Sequence, residues 1–361
     1  MSAKKTALYE IHKKLNARIV EFAGYLMPIQ YKGIMDEHRR VRQTVGIFDV
    51  SHMGEFIISG EKSLDFLQLV TINDVARLDV FQVQYSAMCY ENGGIVDDLL
   101  VYRFPDHYMT VVNASNLEKD FRWMQSHLIP GVELKNASDD FTLLAVQGPD
   151  SVATLQKLTP VDLSAIEYYW MKQEKLADVE AIISRTGYTG EPGFEIGFAP
   201  EYSEKVWNAI MDAGQEFQIE PVGLGARDTL RLEMKYCLYG NDIDQTTHPL
   251  EAGLGWITRL KKGQFIGRDA ILNAKEKGLT RKLVGIELEG KAIPRHGYEI
   301  YKDEQQVGVI TSGTFSPMLE KGIAIGYLAV EYTEPGTDID IMIRNRKVPA
   351  TVVKTPFYKH Q

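Results

Sequence analysis

Glu91-Asn-Gly-Gly94 stands between two strand-like runs, Tyr85–Tyr90 and Ile95–Phe104, and commits this part of the chain to an antiparallel hairpin. Asn and Gly tolerate the positive φ of a tight turn. Strands joined so closely can pair only antiparallel. Tyr108–Asn113, after a Pro-Asp-His turn, reads as a third strand. Ser115-Asn-Leu-Glu118 then reads as a capping box, opening a helix with Leu117, Phe121, Met124 and Leu128 at helical spacing. Strands followed by a packed helix predict an antiparallel α+β unit.

A second set of elements repeats the idea. Residues 44–59, including Phe48-Asp-Val-Ser-His-Met-Gly-Glu55, read as a strand region. Phe141–Gln147 is a predicted strand, and Gly148-Pro149 opens a helix of about ten residues. Ala181–Ser184 and Gly193–Phe198 read as strands and Tyr202–Ala213 as a helix. Two α+β units of similar size hint at an old duplication, although no sequence repeat supports it. From about residue 282 the texture changes to short strands separated by turn clusters. They are Leu283–Leu288, Glu299–Tyr301, Gly308–Thr311, Ile323–Leu328, Ile339–Ile343 and Val348–Val353. That pattern predicts a small β-barrel or sandwich, with the charged stretch Lys275–Lys282 as its boundary.

The composition narrows the functional classes. A chain of 361 residues, 44% hydrophobic and 25% charged, is an ordinary globular protein with room for two or three domains. No apolar run approaches the roughly 20 residues that cross a bilayer, and no secretory or transit signal is evident. Two cysteines, Cys89 and Cys237, make neither a disulfide framework nor a four-ligand zinc site, so a reducing cytoplasm is expected. A net charge of −9 argues against a large nucleic-acid surface. The eight histidines show no H-E-x-x-H spacing, and there is no Walker loop and no G-x-S-x-G elbow. No metal is expected; His38 and His52 read as structural, and Met27, Met53 and Met88 as core.

Three patterns point to chemistry. In Arg185-Thr-Gly-Tyr-Thr-Gly-Glu-Pro-Gly-Phe-Glu195, three glycines surround Tyr188 and lead into a strand. Alternation puts Phe194, Ile196 and Phe198 on one face of that strand and Glu195 on the other. Such a loop is expected to wrap a flat ligand, and Glu195 to accept from adjacent N–H donors; a phosphate would be repelled. The loop does not have G-x-G-x-x-G spacing and precedes a strand, so it is no dinucleotide fingerprint. Next, Asp97 and Asp98 are neighbours on a strand and point to opposite faces, Asp98 with Leu100 and Tyr102, Asp97 with Leu99 and Val101. At least one is expected to be a solvated acid beside the turn, while the other is available for proton chemistry. Finally, Gly223-Leu-Gly-Ala-Arg-Asp-Thr-Leu-Arg-Leu-Glu233 opens a helix with Arg227 in its first turn, where the helix dipole disfavours a cation. Glu195 is one candidate anion for it, and Asp228 or Glu233 would serve equally.

These strings resemble one family closely. Phe48–Glu55, Gly93-Gly-Ile-Val-Asp-Asp-Leu99, Arg185–Glu191, Gly223–Asp228 and Thr311-Ser-Gly-Thr-Phe-Ser-Pro317 are similar, in order, to the T-protein (aminomethyltransferase) family of the glycine cleavage system. The resemblance runs from about residue 5 to Tyr358. It implies a folate-binding region of two ferredoxin-like α+β units over 1–278, with 50–137 inserted between flanking segments 1–49 and 138–278. A C-terminal β-barrel over 279–361 would follow. It implies transfer of the aminomethyl carbon from the dihydrolipoyl arm of H-protein to tetrahydrofolate, with the glycine cleavage P- and L-proteins as functional partners. By position, Asp98 matches the family's key acid, and Glu195, Arg227 and Tyr188 match residues at the pterin end. Tyr85, Leu100, Tyr102, Asn113 and Tyr236 match the folate channel, and Tyr358 a substrate-contacting tyrosine. Some relatives add a basic tail that meets the folate glutamate; this sequence reads to Gln361 without one.

Two relatives of different function stand as alternatives that the residues favour less. A folate-binding protein assisting iron–sulfur maturation would carry Lys-Gly-Cys-Tyr-x-Gly-Gln, where this chain has Lys235-Tyr-Cys-Leu-Tyr-Gly-Asn241. A folate-dependent demethylating module is normally fused to a flavin dehydrogenase, and no flavin domain is present in these residues.

Overall fold

The structure, a computed structural model, describes residues 3–359. The last two residues, where a basic tail would begin, lie outside the described residues. The chain's contacts gather it into two compact units. One holds the residues up to Leu67 with Val75–Tyr85 and Leu99–Asp228; the other holds Gln68–Asp74, Ser86–Asp98 and the chain from Thr229 onward.

In the first unit a six-stranded sheet runs in the order Met171–Leu176, Val179–Ser184, Gly193–Phe198, Thr142–Gln147, Gly46–Asp49, Glu220–Pro221. Its pairs are antiparallel except the last. The expected alternation in Gly193–Phe198 is present. Phe194, Ile196 and Phe198 enter a buried cluster with Leu144, Val146, Ile183 and, from helix Ser203–Ala213, Val206, Trp207 and Ile210. Because alternate residues face opposite ways, Glu195 and Gly197 stand on the other face with Leu143, Ile182 and Ser184.

A further sheet contains His107–Val112 between Ile95–Arg103 and Gly54–Ser59, with Val83–Cys89 and Glu133–Asn136 at its edges. Register places Glu55 opposite Val111, Ile57 opposite Met109, Leu100 opposite Val111 and Tyr102 opposite Met109. One face of this sheet therefore carries Glu55, Tyr102, Met109 and Val111. A third, small sheet orders Lys4–Lys5, Tyr25–Gln30 and Arg18–Phe22.

In the second unit Arg281–Leu288, Lys321–Ala329, Gln305–Ser316, Glu299–Lys302, Asp338–Ile343 and Arg346–Val353 close into a six-stranded barrel. Its interior is aliphatic, including Ile286, Ile300, Ile310, Ile341 and Val352. All six expected barrel strands are present. Gly308–Thr311 proves to be the middle of a much longer strand whose register shifts between Ile310 and Ser312. The extra residue of this bulge is Thr311, whose hydroxyl donates to Asp242 Oδ1 at 2.6 Å.

Four expectations are corrected. Residues 44–59 are two strands in two different sheets, because the chain turns through Val50–Met53. The helix after Gly148-Pro149 is short, Ser151–Leu155, and continues only as a 3-10 turn over Gln156–Leu158. A 3-10 turn over Ala114–Asn116 precedes helix Leu117–Ser126, which moves the cap from Ser115 to Asn116. Asp97 is fully buried and Asp98 half-buried, so neither is the expected solvated acid.

Candidate active site

In the first unit, the carboxylate face of the six-stranded sheet and the Glu55 face of the second sheet line one slot. Tyr102, Met109, Val111, Phe141, Leu143 and Ile182 make its walls mostly apolar, and Glu55, Ser184 and Glu195 are its polar groups. Its space, open mouth included, is about 280 Å³. Glu195 Oε2 accepts a hydrogen bond from the Thr186 hydroxyl. Burial pushes the Glu195 carboxyl above the ordinary range, while Thr186 and the charge of Arg227 act in the opposite sense. Glu55 is 3% exposed, and its Oε1 is sealed from solvent with no hydrogen-bond partner among the described residues. Burial first, and the charge of Glu195 second, hold the Glu55 carboxyl well above the carboxylate range. Burial thus raises both carboxyls of the slot, Glu55 further than Glu195, and only Glu195 has a hydroxyl and a cation acting in the opposite sense.

The glycine loop encloses a flat group of the protein itself, the amide of Gln147. Gln147 Nε2 donates to the carbonyls of Thr186 (3.1 Å) and Phe194 (3.4 Å), and its Oε1 accepts from the Thr189 hydroxyl at 2.9 Å. A Cβ on Gly187 would lie 2.1 Å from Gln147 Oε1, and one on Gly193 2.5 Å from its Cδ. Only Gly190 of the three is needed for backbone conformation, at φ +80°. A buried ion pair completes the clamp: Arg42 donates to Glu191 Oε1 at 2.7 Å and to the Thr189 carbonyl at 2.8 Å.

Arg227 comes from helix Leu224–Glu233. The helix start is fixed by Glu37, whose Oε2 accepts from the Gly223 N–H at 2.8 Å while its Oε1 accepts from the N–H groups of Tyr31, Lys32 and Gly33. A Cβ on Gly223 would meet the Ile29 backbone at 2.4 Å, so only glycine allows this approach. The Arg227 guanidinium lies 4.4 Å from the centre of the Tyr188 ring. It influences Glu195 through space, but no ion pair joins the two among the described residues. Its charge also reaches His52. Burial, then Arg227, push this imidazole down to about 4, and its Nδ1 is sealed without a hydrogen-bond partner among the described residues.

The His52 shift makes a stability prediction. Between its unfolded value of 6.5 and its folded value of about 4, the unfolded chain binds a proton that the folded chain refuses. Stability from this group is therefore complete above the window and falls as pH drops through it, by on the order of 3 kcal/mol. Urea midpoints at about pH 7.5 and pH 5 should show a smaller acid loss for His52→Gln than for the wild type. Equal losses would remove His52 as the source.

The first unit also carries Tyr85, Leu100 and Asn113, each half-buried; of these, Leu100 packs beside Tyr102 and Val111. The remaining expected residues belong to the second unit. Asp98 is there, near enough to Cys237 for its charge to join burial and Asp242 in raising the thiol. Tyr236 gives its carbonyl to Arg231 Nη1 (3.0 Å), which also holds Asp242 at 2.7 Å. The Tyr358 N–H donates to the Glu233 carbonyl at 3.3 Å, and the Glu233 carboxylate accepts from the Ser316 hydroxyl. The Thr311–Pro317 string is thereby tied to Arg231, Glu233 and Asp242.

The chain thus combines α+β sheets that bear a two-carboxyl slot with a closed six-stranded barrel. The family model described as the GCVT N-terminal domain matches residues 8–262, and that of the glycine cleavage T-protein C-terminal barrel domain matches residues 281–359. An aminomethyltransferase of Halothermothrix orenii is 52% identical over 355 residues, covering 98% of this chain and 99% of the relative. One from Bacteroides thetaiotaomicron is 54% identical over 360 residues, covering 99% and 100%. The crystal structure of glycine cleavage system aminomethyltransferase T from Bartonella henselae superposes with a TM-score of 0.93 at 34% identity, covering 99% of this chain and 98% of that one. The chain belongs to the glycine cleavage T-protein family, the aminomethyltransferases of that system.

Proposed function

We propose that the protein transfers the methylene of the aminomethyl-dihydrolipoyl group of H-protein to tetrahydrofolate, working beside the P- and L-proteins in the cytoplasm. Cys89 and Cys237 are both buried thiols, which accords with a reducing compartment. The observation that carries the folate reading is the Glu195 carboxylate in an otherwise apolar slot. A pterin presents N3–H and one 2-amino N–H side by side, and one carboxylate accepts both in parallel. Tyr102 and Leu143 offer apolar walls, and Arg227, seated on Tyr188, orients Glu195 or donates to the pterin carbonyl. We assign Tyr85, Leu100, Asn113 and Tyr236 to the rest of the folate path and Tyr358 to the aminomethyl substrate.

In the reaction the C–N bond of S–CH2–NH3+ breaks with loss of ammonia, and a folate nitrogen attacks the electrophilic carbon. The second folate nitrogen then displaces the sulfur. The two folate N–H protons leave, one to the thiolate and one to ammonia, and 5,10-methylenetetrahydrofolate remains. Asp98 orients the attacking nitrogen and stabilises the positive charge that develops on it.

Mixing the protein with aminomethylated H-protein and tetrahydrofolate should yield methylenetetrahydrofolate and ammonia together, and omitting H-protein should abolish both. Product formed without H-protein would contradict the reading. Glu195→Ala should weaken tetrahydrofolate binding at least tenfold, the loss of about one charge-assisted hydrogen-bonded pair. An unchanged Kd by titration would take Glu195 out of the site.

A further inference from the structure

We propose that Glu55 is a second recognition group of the slot, reading the heterocycle edge adjacent to the one read by Glu195. The inference rests on the pterin reading above and deepens it.

Placement comes first. Glu55 is the second residue of strand Gly54–Ser59, and its backbone is fully engaged: its N–H donates to Ser138 Oγ at 3.0 Å and its carbonyl accepts from the Ala137 N–H at 2.9 Å. The side chain is thus fixed on the face shared with Val111, Met109 and Tyr102, where it lines the slot with Glu195. A solvent-facing role is excluded by its burial. A structural role would require partners, yet Oε1 has none among the described residues. A buried, unsatisfied polar atom is costly and calls for an explanation, and at the wall of a slot a ligand that meets it supplies one.

The chemistry follows from the charged groups nearby. Glu195 faces it from strand Gly193–Phe198, and the phenols of Tyr102 and Tyr25 lie within electrostatic range of its carboxyl. Two anions in one apolar slot repel, and Glu195 is the one supported by Thr186 and Arg227. Glu55 therefore keeps the proton. A neutral carboxyl offers one O–H donor beside one C=O acceptor, whereas a carboxylate offers two acceptors. In a 2-amino-4-oxopteridine, Glu195 would occupy N3–H and one amino hydrogen. The adjoining edge, N1 and the second amino hydrogen, is an acceptor beside a donor, the complement of neutral Glu55. Two carboxyl groups in different protonation states would then select for the 2-amino group from both sides. A heterocycle lacking it would leave two buried groups unpaired, the arrangement by which hydrogen-bonding sites reject near-isosteres most strongly.

The test compares tetrahydrofolate titrations, under anaerobic conditions, of wild type, Glu55→Gln, Glu55→Leu and Glu195→Ala. Glutamine keeps a donor beside an acceptor and should bind within about threefold of wild type. Leucine fills the volume with neither and should lose at least tenfold, with its urea midpoint at or above that of the wild type because an unsatisfied group has been removed. Infrared difference spectra, folate-bound minus free, should contain a protonated-carboxyl band that shifts on binding and is missing from Glu55→Gln. Unchanged affinity in Glu55→Leu, equal loss in Glu55→Gln and Glu55→Leu, or absence of that band would overturn the proposal. A wild type that binds tetrahydrofolate with dependence on Glu195 but not on Glu55 sinks this inference alone. A wild type that binds no tetrahydrofolate sinks the pterin reading with it.

Discussion

Replacing Asp98 by Asn is expected to lower kcat by about 10²–10⁴-fold with little change in tetrahydrofolate affinity, the span of a general acid–base or charge-stabilising group. The substitution preserves the shape and hydrogen-bonding length of the side chain and removes its charge. Asp98 is half-buried on strand Ile95–Arg103, beside the buried Cys237, where water screens its charge incompletely. Its backbone is held at the base of a rigid hairpin: the Tyr90 N–H donates to the Gly94 carbonyl, the Gly93 N–H to the Tyr90 carbonyl, and the Gly94 N–H to Asn92 Oδ1. A loss of kcat would therefore report on the carboxylate and not on a displaced strand. Recognition of the pterin is assigned to Glu195, so Kd should stay within about threefold. Steady-state rates with aminomethylated H-protein decide the matter, and turnover near the wild-type value would withdraw the role from Asp98.

Arg42→Met is expected to destabilise the first unit by about 3–5 kcal/mol, because it leaves Glu191 buried without its cation. Both side chains are fully enclosed, and the pair is 2.7 Å apart. The same arginine also holds the Thr189 carbonyl, so the loop carrying Tyr188 should loosen and folate affinity should fall with stability. Replacing both partners, Arg42→Met with Glu191→Met, should recover at least half of the lost stability, since two apolar side chains of similar volume avoid the stranded charge. Urea unfolding measures both variants. A single variant within about 1 kcal/mol of wild type, or a double variant no better than the single, would show that the pair does not clamp the loop.

Strand Gly193–Phe198 was legible to the residue because alternation of large apolar groups around one acid has no helical equivalent. The hairpin at Glu91–Gly94 and the six barrel strands were legible for similar reasons, since turn residues punctuate them. Failures occurred where local pattern and tertiary role diverge. Gln305–Ser316 holds Gly308, Gly313 and several hydroxyl residues, so only its apolar middle read as strand; pairing on both sides extends it. The turn through Val50–Met53 is invisible in a continuously strand-like stretch, because the two sheets that separate there are assembled from distant segments.

The site was half legible by the same measure. Glu195, Tyr188 and Arg227 stood out as an acid, an aromatic and an awkward cation near glycines. Gln147 did not, because nothing local distinguishes a terminal strand glutamine from a solvated one; only the space left by Gly187 and Gly193 reveals it. Glu55 lies inside the Phe48–Glu55 string, yet no motif logic singles it out there. The signal that finds Glu195, one acid alternating with apolar neighbours, applies equally to Glu55 between Gly54 and Phe56, with Ile57 next on its own face.

The interleaving of the two units along the chain has a consequence for how the protein must be made. Gln68–Asp74 and Ser86–Asp98 leave the ribosome early, yet the rest of their unit begins only at Thr229. The strand bearing Asp98 is thus divided in time as well as in sequence: Leu99 onward settles with neighbours translated soon after, while the hairpin tip waits for the C-terminal third of the chain. A stop codon placed just after Asp228 would not subtract a module. It would leave an apolar hairpin with no partner to bury it, the kind of exposed surface that chaperones and proteases recognise.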